Sequence, residues 1–322
     1  MKLLYSIGMN KGIAISTLVL GLILGPFFAQ AQYGTDFGVR AGIAMYLGDI
    51  GGKDGPARPG IADVQLNQSR YHFGVTGRRF FSKSFAAQGS LIYGRIKGAD
   101  NLTNNKERYS RNLSFRNDII ELSLRAEYHF FKIQDLGRTY RYRLDFSSFI
   151  FAGAGVFYHN PKAEYNGEWV ALQPLQTEGK KYSRIQPSIP IGLGFQFRFD
   201  KRHIIGWDFG LRWTFTDYLD DVSSFYVTEP HTDPTAAALA DRSVELEGSN
   251  DPLFIGSANY GAGSVANPDE PTPRGNPDND DVYMFTGFTY SYALKDKRRS
   301  FKKRKYHFAH RKVKRRRSRA KF

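Results

Sequence analysis

The chain has 322 residues, with 26 Phe, 19 Tyr and 3 Trp beside 32 Gly and no cysteine. That excludes a disulfide framework, a thiolate metal site and a cysteine nucleophile, and it suits strands, tight turns and aromatic girdles. The net charge of +15 belongs to a tail: Lys295 to Phe322 carry sixteen Lys or Arg against one acid, Asp296, whereas the first 294 residues balance 30 basic against 30 acidic side chains.

At the N-terminus, Lys2 and Lys11 flank the start of an apolar run from Gly12 to Phe28, followed by Ala29-Gln30-Ala31. This is the pattern of a secretory signal peptide over residues 1–31, with the mature chain expected from Gln32. No later segment is long and apolar enough to cross a membrane as a helix. A membrane-embedded product would then have to satisfy its backbone groups in a closed barrel, expected over residues 32–294, with a basic tail at 295–322.

Strands are expected at about 35–46, 70–81, 85–97, 120–130, 145–158, 189–200, 205–216 and 282–294. The clearest has Ile205, Trp207, Phe209, Leu211, Trp213 and Phe215 alternating with Gly206, Asp208, Gly210, Arg212, Thr214 and Thr216, an unbroken period of two. Its partner runs from Ile189 to Phe199 with the same alternation, and 200–203 forms the turn between them. Ile120, Leu122, Leu124, Ala126, Tyr128 and Phe130 alternate with Glu121, Ser123, Arg125, Glu127 and His129. The strand at 145–158 is less regular, with Phe149, Phe151 and Phe157 on one face and Ile150, Val156 and Tyr158 on the other.

Connections at 82–84, 132–144 and 200–203 are short or moderate; those at 47–69, 98–113, 159–184 and 217–281 are long and rich in Gly, Pro, Asn and Asp. They alternate in chain order, as periplasmic turns and outer loops do. The expected fold is an all-β, transmembrane, antiparallel up-and-down barrel of about eight strands in the outer membrane, both termini periplasmic and the long loops outside. A further hairpin around Pro252 to Tyr260 is compatible with it.

A barrel of that size encloses only its own side chains. The inward set would include Arg40, Arg78, Gln88, Glu121, Arg125, Glu127, His129, Arg198, Asp208 and Arg212, and buried charges of both signs imply a plug of ion pairs. Three carboxylates within Thr216-Asp217-Tyr218-Leu219-Asp220-Asp221-Val222-Ser223 invite a calcium reading, but EF-hand spacing and a bidentate Glu are missing, so they read as turn caps. His129, Glu127 and Ser123 share one strand face, about 6 to 7 Å apart per pair of residues, too far for a triad; His129 reads as a structural lumen residue. No cofactor, metal or catalytic site is expected, and the protein is not expected to be an enzyme.

The tail holds Arg298, Arg299, Lys302, Lys303, Arg304, Lys305, Arg315, Arg316 and Arg317. In a cytosolic protein such runs suggest nucleic acid; after export the available partners are anionic envelope surfaces or an acidic periplasmic protein. A solubilising extension is the other reading.

Several segments resemble the PorG-like outer-membrane barrels of the type IX secretion and gliding machinery. The specific ones are Pro174-Leu175-Gln176-Thr177-Glu178-Gly179 and Thr216 to Ser223, supported by Gly48-Asp49, Arg111 to Phe115, Glu127 to Phe131, Gly153 to Phe157 and Ile189 to Gly194. The resemblance covers about 35–226 and excludes the loop at 227–280 and the tail. It implies a non-enzymatic outer-membrane component that contacts membrane lipid and docks a periplasmic protein of a secretion complex, with no nucleic acid partner. The alternatives are a generic outer-membrane barrel and a lipid-modifying barrel hydrolase.

Overall fold

The structure is a computed structural model that describes residues 34–51, 66–134, 144–199, 202–227, 231–256 and 273–294. The expected signal peptide and basic tail lie outside the described residues. Eight strands form the wall: β1 (Thr35–Leu47), β2 (Arg70–Phe80), β3 (Phe85–Ala99), β4 (Ser114–Ile133), β5 (Leu144–Tyr158), β8 (Ile185–Phe199), β9 (His203–Thr214) and β10 (Val282–Ala293), with a small hairpin, β6 (Pro161–Tyr165) and β7 (Glu168–Ala171), after β5. Every wall strand pairs antiparallel with its neighbours, β3 with β4 and β1 with both β2 and β10. The sheet therefore closes as an eight-stranded barrel with no free edge.

Alternation decides the faces. On β4, Glu121, Ser123, Arg125, Glu127 and His129 are buried, while Ile120, Leu122, Leu124 and Tyr128 between them are exposed. The same inversion runs around the barrel, with Phe37, Val39, Phe73, Val75, Leu91, Ile150, Leu193, Ile205 and Phe288 outward. This is a polar interior inside an apolar belt. From Ile120 to Tyr128 the belt spans about 26 Å along the tilted strand.

The strand ends that the four long connections join lie at one end of the barrel, and those that the short turns join, with both chain ends of the wall, lie at the other. Strand β4 starts six residues before the expected boundary. Its first outward residues are polar because they stand above the belt: Asp118 pairs with Arg95 at 2.6 Å, and Arg116 lies over the Trp169 ring at 4.0 Å. At the other end of β4 a bulge between His129 and Phe131 turns both Phe130 and Phe131 outward, into an aromatic rim.

Hairpin β6–β7 falls within what sequence periodicity treats as a plain loop. Its turn is Asn166-Gly167, both at positive φ (52° and 84°), the type I′ dipeptide that matches strand twist. Residues 252–256 form no strand, and 257–260 lie outside the described residues.

The less regular β5 also has a physical account. Its inward Phe151 ring lies over Gly192 and Gly210, which face each other across β8 and β9. A Cβ on either glycine would come within 2.7 Å of the ring, so two missing side chains make room for one phenyl group.

Candidate functional site

The lumen is filled in two layers. From the short-turn end up to the rung of Ile92, Phe157 and Tyr283, which Glu121 and Arg212 share, lie four buried arginines, Arg40, Arg78, Arg125 and Arg212, with four buried acids, Asp36, Glu121, Glu127 and Asp208. Asp208 takes Arg40 Nη2 at 2.9 Å and Arg125 Nη1 at 2.5 Å. Glu127 takes Arg125 Nε at 3.1 Å and Arg78 Nε at 2.8 Å. Glu121 takes Arg212 Nε at 3.2 Å and accepts from the Tyr283 and Ser123 hydroxyls at 2.8 Å each. Arg125 also stacks over Phe151 at 4.1 Å and Arg212 over Phe285 at 4.6 Å, so the inward aromatics serve as faces for the guanidiniums. The void beside this network, lined by Arg78, Arg125, Phe149, Gln196 and Asp208, is about 10 Å³.

The second layer is one that the expected plug of ion pairs did not include. Toward the long-loop end the inward residues are Ile92, Ile96, Phe115, Ile119, Phe157, Tyr283 and Phe285, and the loops insert Ile50, Leu113, Leu219 and Val222 onto them. Leu219 is pinned by Asn117 Nδ2, which donates to its carbonyl at 2.7 Å. This half is covered by loop side chains, so apolar groups fill it at no desolvation cost.

Histidine 129 does not meet Ser123. Its Nδ1 lies 2.8 Å from Ser147 Oγ on β5 and its Nε2 lies 3.4 Å from Glu127 Oε2, while Ser123 bonds Ser90 and Glu121. The imidazole is held between Phe80 and Phe149, each with its centroid 5.0 Å away. Glu127 is already neutralised by two guanidiniums, which weakens its support for an imidazolium.

Above the lumen, the two motif segments singled out in the sequence meet. Thr177 donates to Asp221 Oδ2 and Tyr182 to Asp221 Oδ1, both at 2.5 Å. Glu178 accepts from the backbone N–H groups of Ser223 and Ser224, each at 3.0 Å, and pairs with Arg274 at 3.1 Å. Tyr218 stacks on Tyr182 with centroids 4.7 Å apart. Asp221 sits at φ 72°, a costly conformation for a residue with a Cβ, held by those two hydroxyls. Gly179, at φ 68°, closes the turn by donating to the Gln176 carbonyl at 2.7 Å. Thr216 and Asp217 are buried beside this cluster.

Arg111 and Asp49, from the supporting segments of the resemblance, complete the cap together with Asp100 and Arg274, which the sequence did not single out. Arg111 forks onto Asp100, Nε at 2.8 Å and Nη2 at 3.0 Å, and donates to the carbonyls of Asp49 and Arg274. It is presented by a short helix, α1 (Lys106–Arg111), capped at its start by the Asn105 side chain and ended by Asn112 at φ 56°. A second helix, α2 (Pro234–Ala240), begins at the Asp233 cap and buries Leu239 against Ala163 and Leu172 near the hairpin. Charged loop residues resemble solvated ones in a sequence; the local signals were the Asn105 and Asp233 caps and the Asn-Gly turn.

One hydroxyl organises the centre of this cap. Tyr46 Oη lies 2.6 Å from Asp220 Oδ2 and 2.8 Å from Asp281 Oδ1, and it accepts from the Asp49 N–H at 2.9 Å. A phenol has one proton to donate, so the second carboxyl contact requires a proton of its own. Burial, followed by the neighbouring carboxylates, pushes Asp220 up to about 8 and Asp281 well above the usual range. Burial likewise raises Asp217 to about 9 and Asp221 to about 6. Among the described residues no group of three or more His, Cys, Asp or Glu is arranged to hold a metal ion.

Comparison with known proteins brings in one family, described as a domain of unknown function, DUF6089, which matches residues 14–227. The chain belongs to this DUF6089 family. The match takes in seven of the eight wall strands; β10, which closes the barrel, and Arg274 and Asp281, which complete the cap, lie beyond it. No curated protein matches the chain. Among solved structures, Ail of Yersinia pestis in complex with the heparin analogue sucrose octasulfate aligns at 10% identity and TM-score 0.32, over 81% of this chain and 99% of that one. The outer membrane protein OprG of Pseudomonas aeruginosa aligns at 10% identity and TM-score 0.29, over 83% and 99%. At such TM-scores the barrel of this DUF6089 protein rests on its own hydrogen-bond ladders.

Two outcomes follow from the lumen and the cap. Asp208→Asn removes the sole close carboxylate of Arg40 and one of two for Arg125, and should cost about 3–5 kcal/mol, read as a lower urea midpoint for the gel-shift transition of the folded barrel. Raised aspartate pKa values mean that the folded cap holds protons which the unfolded chain releases. Their stabilising contribution is full below the ordinary value of 3.8 and is lost as pH rises through about 6 to 9. The apparent melting temperature should therefore fall between pH 6 and 9, and Asp281→Asn, whose amide supplies a permanent donor to Tyr46, should flatten that fall.

Proposed function

We propose that this protein is a non-enzymatic, integral outer-membrane barrel that acts as a sealed anchor and docking component of a cell-envelope secretion complex of the type IX kind. The observation that carries the anchor reading is the filled lumen. A recess of about 670 Å³ opens at the short-turn end beside Ser147, Gln196 and Arg198, but at the arginine–carboxylate network the void is about 10 Å³, no more than one water's worth of space, and the apolar layer and loop cap close the end above it.

The apolar belt supports placement in a bilayer, since so continuous an exposed apolar surface has no stable partner in water. The short turns and strand termini at one end, and the long loops at the other, support periplasmic termini and external loops. The secretion role rests on the PorG-like segments, of which Thr177, Glu178 and Gly179 and Thr216 to Asp221 build the cap. The environment of His129, buried between two phenyl rings with its carboxylate shared by arginines, supports a structural role over a hydrolytic one.

Reconstituted in planar bilayers, the barrel should show no steady ion conductance; stepwise conductance at neutral pH would make it a channel instead. The docking role has a separate check. Deleting residues 298–322 should leave the heat-modifiable barrel in the outer membrane while lowering recovery of a periplasmic partner in crosslinking from intact cells. Unchanged crosslinked partners and unchanged secretion would leave a generic barrel as the reading.

A further inference from the structure

Glycine within a strand weakens it unless a bulge, a close approach or a ligand requires it. Among the described strand glycines, Gly89 alone has no heavy atom within 4 Å of where a Cβ would sit, and its φ is not in the left-handed region. Neither packing nor backbone geometry asks for glycine there. It faces outward, directly opposite Gly77 on β2. That pair sits between Phe37 of β1 and Leu124 of β4 on the same rung. The missing side chain of Gly89 opens a notch in the apolar belt, walled by the Phe37 ring, which lies 3.2 Å from where a Gly77 Cβ would sit, and part of a groove of about 730 Å³ bounded by Phe37, Val75, Leu91 and Leu122.

The next rung toward the short-turn end reads Thr35, Arg79, Ala87 and Ala126. Arg79 stands one strand step, about 7 Å, from Gly77 on the same outward face. Its neighbours on β3 and β4 are the small residues Ala87 and Ala126. The Arg79 Nε is enclosed and has no hydrogen-bond partner. One rung further, Phe85 and Tyr128 pair with ring centroids 5.0 Å apart, in the aromatic girdle that marks the bilayer interface. An arginine on the lipid-facing surface beside that girdle reaches the headgroup layer, where phosphates are the anions at hand.

We propose that the Gly77–Gly89 notch and Arg79 form a binding site for one glycerophospholipid, an acyl chain in the notch and the phosphate on the Arg79 guanidinium. The notch supplies a chain-sized apolar recess, and the planar guanidinium supplies two donors matched to phosphate oxygens. The site rests on the membrane placement proposed above, under which it faces the periplasmic leaflet, where phosphate headgroups lie.

The test uses the full mature protein purified in mild detergent with added phosphatidylethanolamine or phosphatidylglycerol, bound lipid being counted by native mass spectrometry and folding by heat-modifiable gel migration. Wild type should retain one phospholipid. Gly89→Leu, which fills open space, and Arg79→Gln should each lower occupancy at least tenfold without changing the gel shift. Leu193→Ala, on the outward face of β8, should leave it unchanged.

No retained lipid, or equal retention in all four proteins, overturns the site. So does loss in Leu193→Ala, which would mark annular lipid, or a retained second barrel copy in place of lipid. Failure of the wild type to fold as a barrel in detergent would overturn the membrane reading together with this one. A folded barrel that retains no lipid overturns only this one.

Discussion

Closing β1 onto β10 is the constraint on which the rest depends. Once the eight strands form a ring, every backbone donor and acceptor of the wall is paired, and each side chain is committed to the lumen or the exterior. Arginines such as Arg40 and Arg212 then have no solvent to reach. They are tolerable only because Asp36, Glu121, Glu127 and Asp208 occupy the same volume, giving buried charges of opposite sign near-contact geometry. The network is as much a consequence of closure as a contributor to it.

The long-loop end solves the same problem differently. There the strands rise above the apolar belt, water is excluded by folded loops, and the inward residues change from charged to apolar. The polar groups are displaced upward into the cap, where Arg111 and Arg274 tie four connections to one another. An excess of carboxyls remains around Tyr46, and that excess is what makes the cap proton-dependent. Bolted in this way, the four connections close the long-loop end of the barrel.

The exterior is uniform by comparison, and so its one interruption stands out. Glycines elsewhere in the wall meet a ring or a backbone that occupies their Cβ position; Gly89 meets open space. Together with a lipid-facing arginine at the adjacent rung, this makes the belt locally selective, whereas the rest of it has the smooth apolar character of a surface that any lipid can wet.

Much of this was legible in the sequence, because period-two alternation is a local property. The strands from Ile189 to Phe199 and from Ile205 to Thr214 and the parity of short and long connections follow from residues a few positions apart. Alternation alone leaves open which face is inward, and it cannot pair residues. Arg40 with Asp208, His129 with Ser147 rather than Ser123, and Tyr46 with both Asp220 and Asp281 are separated by 168, 18, 174 and 235 positions. The ring brings them together. The sequence by itself determined the eight wall strands, their order and the neutrality of the body. Only the tertiary structure decided the ion partners, the apolar upper lumen and the shared hydroxyl of the cap, because each is set by strand register around a closed circuit, a property no single segment carries.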